Sequence, residues 1–207
     1  TQAAVAPTQA PIEPTQVAVA PTVAGSTGGD IMLTQIFNQE RSAAMANAPL
    51  FTSAAGVLTQ QASGFRFVPA GVGVTDFYAT VTFANPTDLA TRSDAGIGFR
   101  DLNNDTEFRF VVRSDGEWAL AAGVASPFVF GTLTNYDATP GASNTLELVA
   151  HGATGLLVVN GVVIQQVDLS TNLNAGDVYI ASGMYASDTV DGRQIPYSNF
   201  AVYQLAA

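Results

Sequence analysis

From Phe77 to Asn85 the chain reads FYATVTFAN. Phe77, Ala79, Val81 and Phe83 fall on one side of an extended strand, and Tyr78, Thr80 and Thr82 on the other. Successive strand side chains point to opposite faces, so this run has one face for a core and one for a mixed surface. The pattern recurs at EFRFVVR, where Phe108, Phe110 and Val112 oppose Glu107, Arg109, Val111 and Arg113. Turn signals separate such runs. Asn160-Gly161 sits between LLVV and VVI and predicts a two-residue hairpin, because a type I′ turn needs positive φ twice. Ser114-Asp115-Gly116 marks another tight turn.

Read this way, the sequence predicts strands near Ile31–Phe37, Gly56–Gln60, Gly64–Val68, Asp76–Ala84, Ala95–Arg100, Glu107–Arg113 and Glu117–Ala121. Further strands are predicted near Phe128–Leu133, Thr145–His151, Leu156–Val159, Val162–Val167, Val178–Gly183 and Ser198–Gln204. Glu40–Ala48 reads as a helical turn or a loop, its period too short to decide. Many short strands with regular turns and little helix predict an all-β sandwich or barrel.

The first 22 residues are different in kind. They repeat every seven residues as TQAAVAP, TQAPIEP and TQVAVAP, then TV. Pro every seventh residue rules out a coiled coil, since each would remove a helical hydrogen bond and strike the preceding turn. Extended or polyproline-II geometry is expected, with a reach of roughly 65–70 Å at about 3.1 Å per residue. Two readings follow. Val5, Ile12 and Val19, with Pro7, Pro14 and Pro21, form an assembly arm for other copies of the chain. Alternatively, Thr1, Thr8, Thr15 and Thr22 are O-glycosylation sites on a solvated spacer. Ala24–Gly29 reads as a hinge, giving an arm of 1–29 and a β-sandwich domain of 30–207.

Charge narrows the partners. The net charge is -10 and all seven basic residues are Arg, which disfavours nucleic-acid backbones and anionic membranes. There is no Cys, hence neither a disulfide framework nor a thiolate metal site. No apolar stretch is long enough for a helical membrane span. A chain opening on Thr, with a Thr/Pro arm and few charges, is expected to be a processed or excised product of an exported protein.

GIGFRD (Gly96–Asp101), FRFVVRSDGEW (Phe108–Trp118), NTLELVAHG (Asn144–Gly152), VNG (Val159–Gly161) and YSNFAVYQL (Tyr197–Leu205) resemble the concanavalin A-like (laminin-G/glucanase-like) jelly-roll family. They resemble above all the exported sandwich domains of bacterial surface proteins. The resemblance covers roughly residues 76 to 205 and implies a concanavalin A-like jelly-roll β-sandwich behind an extended N-terminal arm. It also implies an extracellular or cell-surface setting. Members include glycan-binding modules, glycoside hydrolases and structural domains, so fold alone selects no activity.

A glucanase of this fold is expected to carry two Glu flanking an Asp on one strand. Here Glu13, Glu40, Glu107, Glu117 and Glu147 are the only Glu, and no two share a strand at that spacing. The expectation is therefore no enzyme. His151, the only His, reads as a strand-end residue bonded to water or backbone. Arg109 and Arg113 share a face with Glu107, which predicts cross-strand ion pairs. Asp101, Asn103 and Asp105 place oxygens at alternate positions, as Ca²⁺ prefers, but the same residues suit a plain turn. Trp118, Tyr136, Tyr185 and Tyr197 are the candidate platform for stacking a polysaccharide. The leading expectation is a structural subunit that assembles into a fibre or surface array through its arm. The alternative is a tethered carbohydrate-binding module. No cofactor is expected beyond the weak Ca²⁺ candidate.

Overall fold

The alternating runs pair into two antiparallel sheets of six strands each. The computed structural model describes residues 28–62, 64–88, 90–103, 105–123 and 127–206. In chain order the elements are α1 (Gly28–Met45), β1 (Phe51–Thr59), β2 (Arg66–Pro69), β3 (Phe77–Ala84), β4 (Asp94–Asp101), β5 (Phe108–Arg113) and β6 (Glu117–Ala122). They continue with β7 (Val129–Thr132), β8 (Ser143–His151), β9 (Thr154–Val159), β10 (Val162–Asp168), β11 (Asp177–Ser182), a 3₁₀ turn (Ala186–Asp188) and β12 (Gln194–Gln204). One sheet runs β1-β12-β3-β8-β9-β10, the other β2-β11-β4-β5-β6-β7. Every strand predicted after residue 50 is present, with ends shifted by a few residues. All ten arm residues named above (Val5, Pro7, Ile12, Pro14, Val19, Pro21, Thr1, Thr8, Thr15 and Thr22) lie outside the described residues.

The core lies between the sheets. Phe77, Phe99, Phe108, Phe110, Phe200 and Leu148 are fully buried there, each on the inward side of its strand's alternation. The Asn-Gly turn forms as expected, with φ of 48° at Asn160 and 76° at Gly161. It sets Val159 opposite Val162.

The predicted strand at Ile31–Phe37 is overturned, because those residues belong to α1. Glu40–Met45 continues the same helix. Leu33, Phe37 and Ala44 recur at helical spacing and pack on Tyr78, Val149, Leu156, Val158 and Leu205, a second cluster on the outer face of the first sheet. Burial of that stripe outweighs the weak β preference of Ile31 and Leu33. The Asn47 side chain donates to the Ala43 carbonyl (3.3 Å), capping the helix before Pro49. His151 also departs from expectation. Its Nδ1 lies 3.1 Å from Glu40 Oε1, so its partner is a helix carboxylate.

Candidate functional site

β2 is four residues long and sits at the edge of the second sheet. Val68 points to the core, so Phe67 projects from the opposite, outer face, where it is 52% exposed. Phe65, two residues earlier, joins it there, with ring centroids 5.6 Å apart. Tyr179 of β11 completes the group, 6.0 Å from Phe65 and stacked at 23°, and 5.6 Å from Phe67. Tyr179 lies flat because Gly98 of β4 is its register partner, and a Cβ at Gly98 would overlap the ring. Gly98 pairs in turn with Arg109 of β5. One row across three strands therefore reads aromatic, bare backbone, guanidinium.

The chain between β4 and β5 walls this row. Asp101 Oδ1 accepts the Asn103 N–H (2.7 Å), closing a turn. Asn103 and Asp105 take the left-handed φ values of 57° and 59° that Asn and Asp tolerate best. Asn172 Nδ2 donates to the carbonyls of Arg100 (3.2 Å) and Thr106 (2.9 Å), holding the loop at both ends. Arg100 itself is not a surface ion-pair residue. Its φ of 55° turns it inward, where it is 0% exposed. Its guanidinium donates to the carbonyls of Thr75 (3.0 Å), Gly152 (2.6 Å), Asn172 (2.8 Å) and Leu169 (3.5 Å). That clamp joins four segments at one end of the sandwich beneath the loop.

The result is an open depression of about 220 Å³ lined by Phe65, Phe67, Asp101, Asn103, Asp105, Glu107, Arg109 and Tyr179. Glu107 is its chemical centre, though only 3% exposed. Its Oε1 accepts from Arg109 Nε (2.7 Å) and Nη2, and lies 3.5 Å from the Tyr179 hydroxyl. Its Oε2 is buried and has no hydrogen-bond partner. The Arg109 guanidinium also lies over the Phe65 ring, 5.0 Å from its centroid. Burial pulls the Arg109 pKa down, but hydrogen bonding and charge from Glu107 and Tyr179 outweigh it and raise the value. Burial raises the Tyr179 pKa, so its phenol stays a neutral donor. The ion pair predicted for Arg109 thus exists, but along its own strand, two residues from Glu107. Arg113 pairs elsewhere, with Asp188 through Nε (2.5 Å) and Nη2 (2.8 Å) and with Glu117.

The structure does not assemble Trp118, Tyr136, Tyr185 and Tyr197 into a platform. Trp118 is 3% exposed and points into the core, edge-on to Phe110 at 6.4 Å. Its register opposite Val112 puts it on the inward face. Tyr197 is 8% exposed and covers Gly56. Tyr136 donates its hydroxyl to Asn85 Oδ1 (2.5 Å). Tyr185 is half-buried beneath the Arg113 guanidinium, 4.8 Å away. None of the four lines the depression. Asp101, Asn103 and Asp105 do line it, as the rim of a turn. Among the described residues, no three acidic or histidine side chains converge well enough to hold a metal ion.

Sequence reading missed Phe65, Phe67, Glu107, Arg109 and Tyr179 as a group. The available signals were the Phe-x-Phe step on a strand too short to bury both rings, and Gly96-x-Gly98, which clears one sheet face for something to lie upon it.

No family model matches the chain, and no curated protein matches it. Solved structures do. A carbohydrate binding module, CBM66 from Bacillus subtilis, superposes with a TM-score of 0.56 at 13% identity, over 74% of this chain and 97% of the module. A fructosyltransferase from A. japonicus gives a TM-score of 0.57 at 13% identity, over 82% of this chain but 28% of the enzyme. A sialidase gives 0.50 at 16% identity, over 72% of this chain and 15% of that one. The chain thus spans nearly all of the binding module and only a minor part of each enzyme. With the two-sheet strand order, these likenesses establish the fold: the chain is a concanavalin A-like jelly-roll β-sandwich.

Proposed function

We propose that the chain is a non-catalytic carbohydrate-binding module that holds a sugar in the depression on the outer face of its second sheet. The observation carrying this reading is the meeting of half-open aromatic rings, Phe65 and Phe67, with the Glu107–Arg109–Tyr179 polar group. A sugar ring has an apolar C–H face and an equatorial belt of hydroxyls. Aromatic faces stack on the first, and a fixed carboxylate–guanidinium pair bonds the second. Glu107 Oε2 lacks a donor, which costs about 1–3 kcal/mol or more for a buried acceptor. The open shape suits one ring at a chain end or edge better than a long enclosed substrate. Catalysis is disfavoured by the same contacts. Arg109 and the Tyr179 hydroxyl already occupy Glu107 Oε1, which suits a fixed binding group and not a carboxyl free to pass a proton to a substrate. The similarity to a carbohydrate binding module over 97% of its length supports a binding role. An extracellular or cell-surface setting fits that role. Among the described residues, no helix is long and apolar enough to cross a membrane.

The test is binding to a broad glycan panel, followed by titration calorimetry with Phe67→Ala. Phe67 is exposed, so the variant is expected to stay folded while binding weakens about tenfold. Absence of binding across the panel, or unchanged affinity in Phe67→Ala, overturns the site.

A second reading, self-assembly through the arm, is favoured by one observation. β1 is an edge strand of nine residues, FTSAAGVLT, with no charge and no Pro. Natural edges are normally blunted by such residues. The arm of a neighbouring copy, carrying one charge (Glu13) in its first 27 residues, is a matching added strand.

A further inference from the structure

The depression has an unbalanced charge. Its lining carries three carboxylates, Asp101, Asp105 and Glu107, against one guanidinium, Arg109. That guanidinium is already engaged by Glu107 and lies over the Phe65 ring. Its charge is thereby offset by Glu107 before any anion arrives. Arg66, the nearest other cation in sequence, alternates to the opposite side of β2 and does not line the depression. The excess is therefore Asp101 and Asp105 at the rim, above a buried carboxylate oxygen that has no donor.

We propose that this site selects sugars by charge: it prefers a residue bearing a protonated amine, such as an unacetylated hexosamine, over a neutral sugar, and rejects carboxylated or sulfated ones. The proposal rests on the carbohydrate-binding reading above and deepens it. An ammonium group supplies three N–H donors and a full positive charge. A charge-assisted bond to Glu107 is about twice as strong as one from a neutral hydroxyl. The electron-rich face of the exposed Phe67 attracts the same cation. Asp101 and Asp105 are more exposed, so they act through a screened field that raises the encounter rate and penalises anions. A sugar carboxylate would meet that field with only a guanidinium already paired to Glu107 to receive it.

The experiment compares four soluble oligosaccharides of equal length on the full chain at pH 6. They are a glucosamine oligomer, its N-acetylated counterpart, a neutral glucan and a uronate oligomer. The expected order is amine tightest, then the two neutral sugars, about tenfold weaker, with the uronate undetectable. The amine's advantage is expected to shrink in high salt and in Asp105→Asn, an exposed substitution that leaves the core untouched. If glycans bind and Phe67→Ala weakens them, but affinity is flat across charge or highest for the uronate, the charge selection is wrong and the binding site stands. If no glycan of any class binds, both fail.

Discussion

Asp94 shows how one side chain can hold a loop and make it sensitive to pH. It is buried to 1% exposure at the start of β4. Its Oδ1 accepts from the Gly183 (2.9 Å) and Met184 (3.0 Å) N–H groups, and its Oδ2 from Tyr185 (3.0 Å). Burial pushes its pKa from the usual 3.8 up to about 6; the backbone donors pull it partly back, and the charge of Asp188 adds to the rise. A carboxyl whose folded pKa is raised binds its proton more tightly in the folded state. Its stabilising contribution is complete below pH 3.8 and is lost as pH rises through about 6. Asp188 has the opposite sign. Burial raises its pKa, but the Arg113 hydrogen bond and charge win and lower it, so its contribution is lost only on stronger acidification. Comparison with Asp94→Asn, which does not titrate, isolates the first effect. The wild type is expected to gain about 2 kcal/mol relative to that variant between pH 7 and pH 4. Urea unfolding at the two pH values measures it, and a constant difference would show that Asp94 is not buried as described.

Among the elements, α1 is the piece whose role is easiest to isolate. It lies on the outer face of the first sheet and touches β10, β8, β3 and β12. Phe37 anchors it, 1% exposed and edge-on to Tyr78 at 6.3 Å. Tyr78 donates in turn to Glu147 (2.7 Å), which Arg41 of the helix approaches at 3.5 Å. Phe37→Ala removes the anchor and leaves a cavity against Tyr78, so a loss of about 3–4 kcal/mol in unfolding free energy is expected. A loss below about 1 kcal/mol would mean that the helix is not docked through this face. The same helix shows where sequence reading ran out. Leu33, Phe37 and Ala44 carry a helical spacing, but Ile31, Leu33 and the aromatic at 37 also alternate, and short apolar runs satisfy both periods. The strands were legible because each repeats its alternation between turn residues whose backbone needs are distinctive, as at Asn160-Gly161. The site was not legible for a different reason. Phe65, Glu107, Arg109 and Tyr179 come from three separate stretches of chain, and only the neighbouring of β2, β11, β4 and β5 brings them together. Trp118 misled because an aromatic after a hairpin turn suits a surface or a core equally, and register alone decides between them.

At the scale of the molecule, the direction of α1 bears on how copies of the chain could join. Residues 46–50 link its C-terminal end to β1, and the Leu50 N–H already bonds Val202 of β12 (2.8 Å). The helix also reaches β10, at the far side of the same sheet. Eighteen residues at 1.5 Å each span about 27 Å, enough to cross the four strand spacings, ~19 Å, from β12 to β10. The self-assembly reading has the arm of one copy pair with the open β1 edge of another. A donor and an acceptor that are different parts of the chain give a head-to-tail contact, which propagates unless its rotation closes a ring. The self-assembly reading then predicts two lesions with one outcome. Deleting residues 1–27 removes the donor and leaves α1 and both sheets intact. Val57→Lys, at a half-exposed edge position, places a charge where an added strand would pack. Each is expected to leave a folded monomer by light scattering and circular dichroism. Mixing the two should restore pairs, because each variant keeps the half that the other lacks. Higher-order species persisting in either variant alone would remove the β1 edge as acceptor, and a wild type that is monomeric at high concentration would remove self-assembly altogether while leaving the sugar site untouched.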